Sequence, residues 1–378
     1  MRYVSTRGAA PVLGFSDVVL AGLANDGGLY VPETWPALPS NLGSTYPELA
    51  AGVFAPYVGD DIAAETMLRL CREAYATFRH PDVVPIVDLE PGHHLMELFH
   101  GPTLAFKDVA LQLLGRLFDH ILTERQQKVT IVGATSGDTG SAAIDGVKDC
   151  ANINIVILYP EGRVSEVQRR QMTTPVESNV HALAMDGSFD DAQARVKDMF
   201  NDFAFRDGVR LAGVNSINWA RVLAQVVYYV SSALSLGAPH RPVSFTVPTG
   251  NFGDVFAGYI ARSMGLPIDK LVIATNQNDI LDRALRNGSY AMDGVKPSIS
   301  PSMDIQVASN FERFIYFAAG RDPAKVRAVM ATFKQTGAYR FEGFDPDIFS
   351  ATRTTDEEIA SIIARVYRDF GYITDPHT

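Results

Sequence analysis

The segment Phe99-His100-Gly101-Pro102-Thr103-Leu104-Ala105-Phe106-Lys107-Asp108 sets one lysine among Leu104, Ala105 and Phe106. An amine held among apolar side chains is poorly hydrated, so its neutral form is favoured and can condense with a carbonyl carbon. That is the environment of a Schiff-base lysine. The same ten residues also read as an ordinary surface lysine at a helix start, with Asp108 as a first-turn acid favoured by the helix dipole. Residues further along the chain decide between the two.

Pro248-Thr249-Gly250-Asn251-Phe252-Gly253-Asp254 follows an apolar run and precedes a helical one. Its glycines let several N–H groups converge on one anion without interference from a Cβ, and a phosphate is the natural occupant. A tight turn that binds nothing is the plainer alternative. Thr135-Ser136-Gly137-Asp138-Thr139-Gly140 is a second such turn, whose hydroxyls and N–H groups suit a carboxylate and whose Asp138 suits a polar ring substituent. Capping of a helix accounts for one of these residues and leaves the others over. Asn215, Ser216 and Arg221 bring an amide, a hydroxyl and a guanidinium to the start of a long helix, a set that suits a second phosphate. A capped helix with a surface arginine is the alternative there. Neither G-x-G-x-x-G nor G-x-x-x-x-G-K-[ST] occurs, so dinucleotide and nucleoside-triphosphate loops lack their signatures. His93, His94 and His100 have no metal-ligand spacing and read as loop or core histidines, so no metal site is expected.

The elements that must position these turns follow from periodicity. Val129–Ala134, Ile153–Tyr159, Val180–Met185, Pro242–Val247 and Leu271–Asn276 read as strands. Helical spacing lies between them, over Ser141–Lys148, Val164–Met172, Phe189–Phe203, Asn218–Leu236, Val255–Met264 and Asp279–Arg286. Alternation of this kind predicts an α/β body with doubly wound, largely parallel sheets. Before it, Phe15–Leu23 and Ile62–Phe78 have helical spacing, joined by a Pro/Gly-rich piece, which predicts a small helical lobe rather than a sheet. Pro323–Thr336 and Thr355–Phe370 are helical runs near the end. The expected division is an N-terminal lobe over 1–90, a lysine-bearing α/β domain over 91–240 and a phosphate-turn α/β domain over 241–378. A lysine, a hydroxyl-rich turn and a glycine turn in that order on such a body describe a pyridoxal phosphate pocket. The Gly250 turn would take the cofactor's phosphate, Lys107 its aldehyde, and the ring would serve as electron sink.

Composition narrows the partners. The formal net charge of -10 disfavours a broad surface for nucleic acid or anionic lipid, so any anion must be held locally. No apolar run is long enough to span a membrane and the N-terminus has no secretory signal, which points to a cytoplasmic protein with a small-molecule substrate. Cys71 and Cys150 fit no metal or disulfide pattern and read as small buried hydrophobes. Oligomeric state is left open by these residues.

In its motifs the chain resembles the threonine synthase family, pyridoxal phosphate enzymes of the tryptophan synthase β-like fold, also called fold type II. The resemblance rests on Tyr3–Gly8, Gly22–Pro32, His100–Asp108, Ala134–Gly140, Val214–Asn218, Pro248–Asp254 and Asp375–Thr378. It implies conversion of O-phospho-L-homoserine and water to L-threonine and phosphate. Lys107 would carry the Schiff base and move protons at the α and β carbons. Thr135, Ser136 and Thr139 would hold the substrate carboxylate, and Asp138 would face the cofactor's ring hydroxyl. Thr249, Gly250, Asn251, Phe252 and Gly253 would hold the cofactor's phosphate, Asn215, Ser216 and Arg221 that of the substrate, and Thr378 would bond the pyridine nitrogen. Two alternatives share these motifs, a phospholyase that releases 2-oxobutyrate and ammonia and a non-catalytic cofactor-binding homologue. Family members continue beyond the Asp-Pro-His-Thr motif whereas this sequence stops on Thr378, so a truncated C-terminus is expected.

Overall fold

The computed structural model describes residues 1–213 and 215–378, so Val214 of the fifth motif lies outside the described residues. Two separate parallel sheets carry the α/β body. The larger runs in the order Val180–Met185, Ile153–Pro160, Val129–Ala134, Leu211–Ala212, and the smaller in the order Phe349–Arg353, Ile268–Thr275, Val243–Pro248. In open α/β sheets ligands bind beyond the carboxyl ends of the strands. Here Ala134 runs into the hydroxyl turn and Pro248 into the glycine turn. Each turn is tied to the neighbouring strand, Thr135 N–H donating to Leu158 O at 3.0 Å and Thr249 N–H to Ala274 O at 2.8 Å.

The long apolar run becomes the helix Trp219–Ser235, which is buried along nearly its whole length. A helix apolar on all sides must be covered on all sides. It packs against the helix Lys107–Glu124, the helix Gly253–Ser263 and the N-terminal helix Tyr46–Val58. Where Lys107–Glu124 crosses the helix Asp138–Val147, Gly115 meets Gly146, and a Cβ on Gly115 would stand 2.0 Å from the Gly146 carbonyl oxygen. Lys107 and Asp138 are the first residues of these two closely crossing helices.

Expectation and structure part in the N-terminal region. The Pro/Gly-rich piece there holds a 13-residue helix, Tyr46–Val58, opened by a capping box between Thr45 and Glu48. Pro47 sits in its first turn, where a missing N–H costs nothing, and Pro56 in its last. The lobe also contains an antiparallel strand pair, Tyr3–Ser5 with Tyr30–Pro32. Tyr3 and Tyr57 pack on Trp219 at ring-centroid distances of 5.9 and 5.8 Å, joining the lobe to the central helix. Residues 86–96 form an antiparallel hairpin instead of entering the parallel alternation. Phe349–Arg353 is an edge strand of the smaller sheet that periodicity did not reveal.

Candidate active site

Lys107 opens its helix and is 11% exposed at its side chain. The apolar run was expected to shield it, yet Leu104 is itself 50% exposed with φ at 63°. What faces the ammonium is the Phe106 ring, 5.4 Å from Nζ, and the Asp138 carboxylate, with which it pairs. Asp108 is turned away from the cleft. Its carboxylate accepts from Thr103 N–H at 2.8 Å and Thr103 Oγ1 at 2.7 Å, fixing the loop that delivers the lysine. Burial pushes the Lys107 ammonium below its ordinary range; the Asp138 charge opposes this and the Arg221 charge adds to it. Burial pushes the other way on Asp138, but the Lys107 charge, with hydrogen bonds from Lys107, Ser302 and Thr139 N–H, holds its carboxyl well below the usual range.

Ser302 was not foreseen. Its Oγ donates to Asp138 Oδ2 at 2.6 Å from the three-residue 3₁₀ helix Pro301–Met303, too short for any periodicity to mark it. In the hydroxyl turn, Thr135 Oγ1 accepts from Gly137 and Gly140 N–H at 3.0 and 2.9 Å, so its oxygen shapes the turn. Ser136 is exposed to the cleft and Thr139 partly so.

The glycine turn ends in Phe252, a non-glycine residue at φ 65° that precedes the helix Gly253–Ser263. Its ring is turned into the core, 5.1 Å from Phe311 and 5.6 Å from Phe314, which compensates an otherwise unfavourable conformation. No side chain caps this helix, so its first N–H groups are available to an anion. The Gly250 backbone lies so close to its neighbours that a Cβ would stand 2.9 Å from Ile305 Cδ1 and 3.3 Å from Ser302 O. Thr249 is buried and its Oγ1 donates to Val247 O at 2.6 Å, bracing the turn from behind.

Arg221 is 4% exposed, and its Nη1 has no hydrogen-bond partner among the described residues. Burial brings its guanidinium down to about 10, with Asp138 acting against that. A buried guanidinium short of partners calls for an anion. Asn215 is exposed, its Oδ1 accepting from Ile217 N–H at 3.2 Å, and Ser216 lies half-buried beside it. The surface-arginine alternative is thereby set aside.

All fourteen residues singled out from the sequence line one cleft of ≈ 2460 Å³: Lys107, Thr135, Ser136, Asp138, Thr139, Asn215, Ser216, Arg221, Thr249, Gly250, Asn251, Phe252, Gly253 and Thr378. Ser302 and His377 also meet there. The segment before Thr378 is held by Tyr372 Oη donating to Glu97 at 2.7 Å and Ser302 N–H donating to His377 Nε2 at 3.2 Å. Glu97 also bonds His100 at 2.7 Å, while His93 pairs with Glu90 and His94 with Asp88. Among the described residues no group of three or more His, Cys, Asp or Glu could hold a metal. Cys71 and Cys150 are free and buried, and burial pushes each thiol up to about 12. A buried lysine, an uncapped glycine turn too close-packed for a Cβ, and an unpartnered buried guanidinium on one cleft fit a phosphate-bearing carbonyl cofactor beside a second phosphate.

Comparison with known proteins gives the same answer. Residues 2–75 match the family described as "Threonine synthase N terminus", and residues 93–378 match "Pyridoxal-phosphate dependent enzyme". The threonine synthase of Pseudomonas aeruginosa is 52% identical over 387 residues, covering 100% of this chain and 82% of its own. The crystal structure of the pyridoxal-phosphate-bound threonine synthase from Brucella melitensis superposes with a TM-score of 0.96 at 55% identity, over 100% of this chain and 83% of that one. The yeast threonine synthase structure superposes at 0.93 and 39% identity, over 100% and 81%. The fold is therefore fold type II and the cofactor pyridoxal phosphate. With both parts of the chain matched and relatives aligned along its full length, this protein belongs to the threonine synthase family of pyridoxal-phosphate-dependent enzymes.

Proposed function

We propose that this enzyme converts O-phospho-L-homoserine and water to L-threonine and phosphate, the activity that the names of its relatives carry. The observation that carries the reading is the placement of Lys107 and Arg221 on one cleft, with the Asp138 charge acting on both. When bound, pyridoxal phosphate supplies an aldehyde for the lysine and a ring that accepts the electron pair left by proton removal. Lys107 Nζ, lowered in basicity by burial, takes and returns protons at the substrate's α and β carbons. Asp138, held ionised by Lys107 and Ser302, would take the cofactor's ring hydroxyl. The turn Thr249–Gly253 binds the cofactor's phosphate through N–H groups, while Thr378 bonds the ring nitrogen. Arg221, with Asn215 and Ser216, binds the substrate phosphate, neutralises it and stabilises it as it leaves. Ser136 and Thr139 bind the substrate carboxylate, and Thr135 keeps the turn in shape for them.

The same reading includes a cytoplasmic location and the division into units 1–90, 91–240 and 241–378. Among the described residues no helix is long and apolar enough to cross a membrane. Product analysis is the test. Purified, cofactor-loaded chain given O-phosphohomoserine should release threonine and phosphate in equal amounts. Phosphate with 2-oxobutyrate and ammonia would make it a phospholyase, and no phosphate at all would make it a binder.

A further inference from the structure

The motifs Tyr3–Gly8 and Gly22–Pro32 supply nothing to the cleft chemistry, yet both end on one short helix, Phe311–Ala318. Glu312, 6% exposed, accepts from Arg7 Nε at 3.0 Å, Arg7 Nη2 at 2.8 Å and Thr6 Oγ1 at 2.7 Å. Arg313, fully buried, donates from Nε to Tyr30 O at 3.0 Å. The helix is thus mounted on the N-terminal lobe. Its other contacts reach the two anion-binding turns. Asn310 N–H donates to Asn251 O at 3.0 Å, and Ser309 Oγ donates to Asn251 Oδ1 at 3.2 Å. Asn310 Nδ2 donates to Ser216 O at 2.9 Å and would lie 3.1 Å from a Cβ on Gly253. Arg313 Nη2 donates to Ile217 O at 2.6 Å, and its Nη1 bonds Asn310 Oδ1.

We propose that Asn310 and Arg313 are positioning residues that fix the Ser216–Ile217 turn against the Thr249–Gly253 turn, so that the N-terminal lobe sets the spacing of the substrate and cofactor phosphates. The pair touches neither phosphate. It acts through carbonyl groups at the backs of both turns, which leaves the faces of the turns free for ligand. Five side-chain polar atoms of two buried residues one helical turn apart are all spent on this job, and buried polar groups are costly to strand. Two anions of like charge must be seated near one another here, and a rigid spacing of their binding turns is what keeps both sites open at once. The inference rests on the assignment of the two turns given above.

The test measures two binding constants by calorimetry, for pyridoxal phosphate on the cofactor-free chain and for inorganic phosphate on the loaded chain, in wild type, Asn310→Ala, Arg313→Lys, Ser309→Ala and Arg221→Met. Asn310→Ala keeps the N–H bond to Asn251 and loses both the bond to Ser216 O and the one it accepts from Arg313 Nη1. It should weaken inorganic phosphate by about tenfold, raise KM for the phosphorylated substrate by a similar factor, and weaken pyridoxal phosphate by a smaller one. Arg313→Lys should shift both constants in the same direction. Ser309→Ala, which touches only the Asn251 side chain, should weaken pyridoxal phosphate alone. Circular dichroism verifies the fold, and should Arg313→Lys not fold, Asn310→Ala decides. Both constants within twofold of wild type in Asn310→Ala, while Arg221→Met loses phosphate, overturn the positioning role by itself. Arg221→Met binding phosphate as wild type does overturns the underlying assignment of the turn.

Discussion

Arg221 offers a prediction in which stability and function move in opposite directions. Burial brings its guanidinium from its ordinary range down to about 10. At about 1.4 kcal/mol per pH unit, that is a cost of about 3 kcal/mol carried by the folded chain. A base whose folded pKa is depressed stays protonated at pH 7, so its cost is fully present there and is relieved only as pH rises past about 10. Arg221→Met keeps much of the volume and removes the charge and the unpartnered Nη1. For a chain this long the unfolding entropy is about 0.8 kcal/mol/K, so removing the cost should raise the melting temperature by about 3–4 °C. Inorganic phosphate at about a hundred times its dissociation constant should stabilise loaded wild type by about 2.7 kcal/mol and leave the variant where it was. Scanning calorimetry of both proteins, loaded with cofactor, with and without phosphate, gives the four melting temperatures needed. A variant less stable than wild type without phosphate, or one that phosphate stabilises equally, would refute the reasoning.

Other outcomes follow from single contacts. Gly115→Ala puts a Cβ 2.0 Å from the Gly146 carbonyl, so it should cost about 3 kcal/mol in chemical denaturation and separate Lys107 from Asp138; a loss under about 1 kcal/mol contradicts the close crossing. Gly250→Ala should weaken pyridoxal phosphate at least about tenfold in a fluorescence titration while the secondary structure stays intact, because the new Cβ pushes against Ile305 and the Ser302 carbonyl. Asp254 is raised by burial to about 6, so it binds more protons folded than unfolded and stability falls as pH rises from about 4 to about 6. Asp254→Asn keeps an acceptor for the Tyr228 and Tyr229 hydroxyls, now at 2.5 and 2.8 Å, and should flatten that part of the slope in urea melts; an unchanged slope would show that the group does not titrate there.

Local chemistry was legible where the chain spells it in consecutive residues. Val129–Ala134 and Val180–Met185 are strands at the bounds that their alternation predicts, and the turns after Ala134 and Pro248 carry their own glycines and hydroxyls. Tyr46–Val58 lies inside a Pro/Gly-rich stretch that hides its helical spacing, although Thr45 and Glu48 spell a capping box. Contacts assembled from distant segments left no such trace. Ser302 is one serine in a serine-rich loop until folding sets it on Asp138, 164 positions away. Asn310 and Arg313 belong to no motif in the sequence, and only the folded chain turns them toward Ser216 and Ile217. Of the three apolar neighbours expected to shield Lys107, Phe106 faces its ammonium, whereas Leu104 is half exposed and the folded cleft supplies the rest of the desolvation.

Lys107 is the point on which everything turns. Borohydride reduction of the cofactor-loaded chain, followed by proteolysis and mass spectrometry, locates the lysine bonded to pyridoxal phosphate. The label should fall on the peptide that contains Lys107 and on no other, and Lys107→Ala should carry none. A label on a different lysine, or bound cofactor that reduction leaves unattached in the wild-type chain, would contradict the assignment.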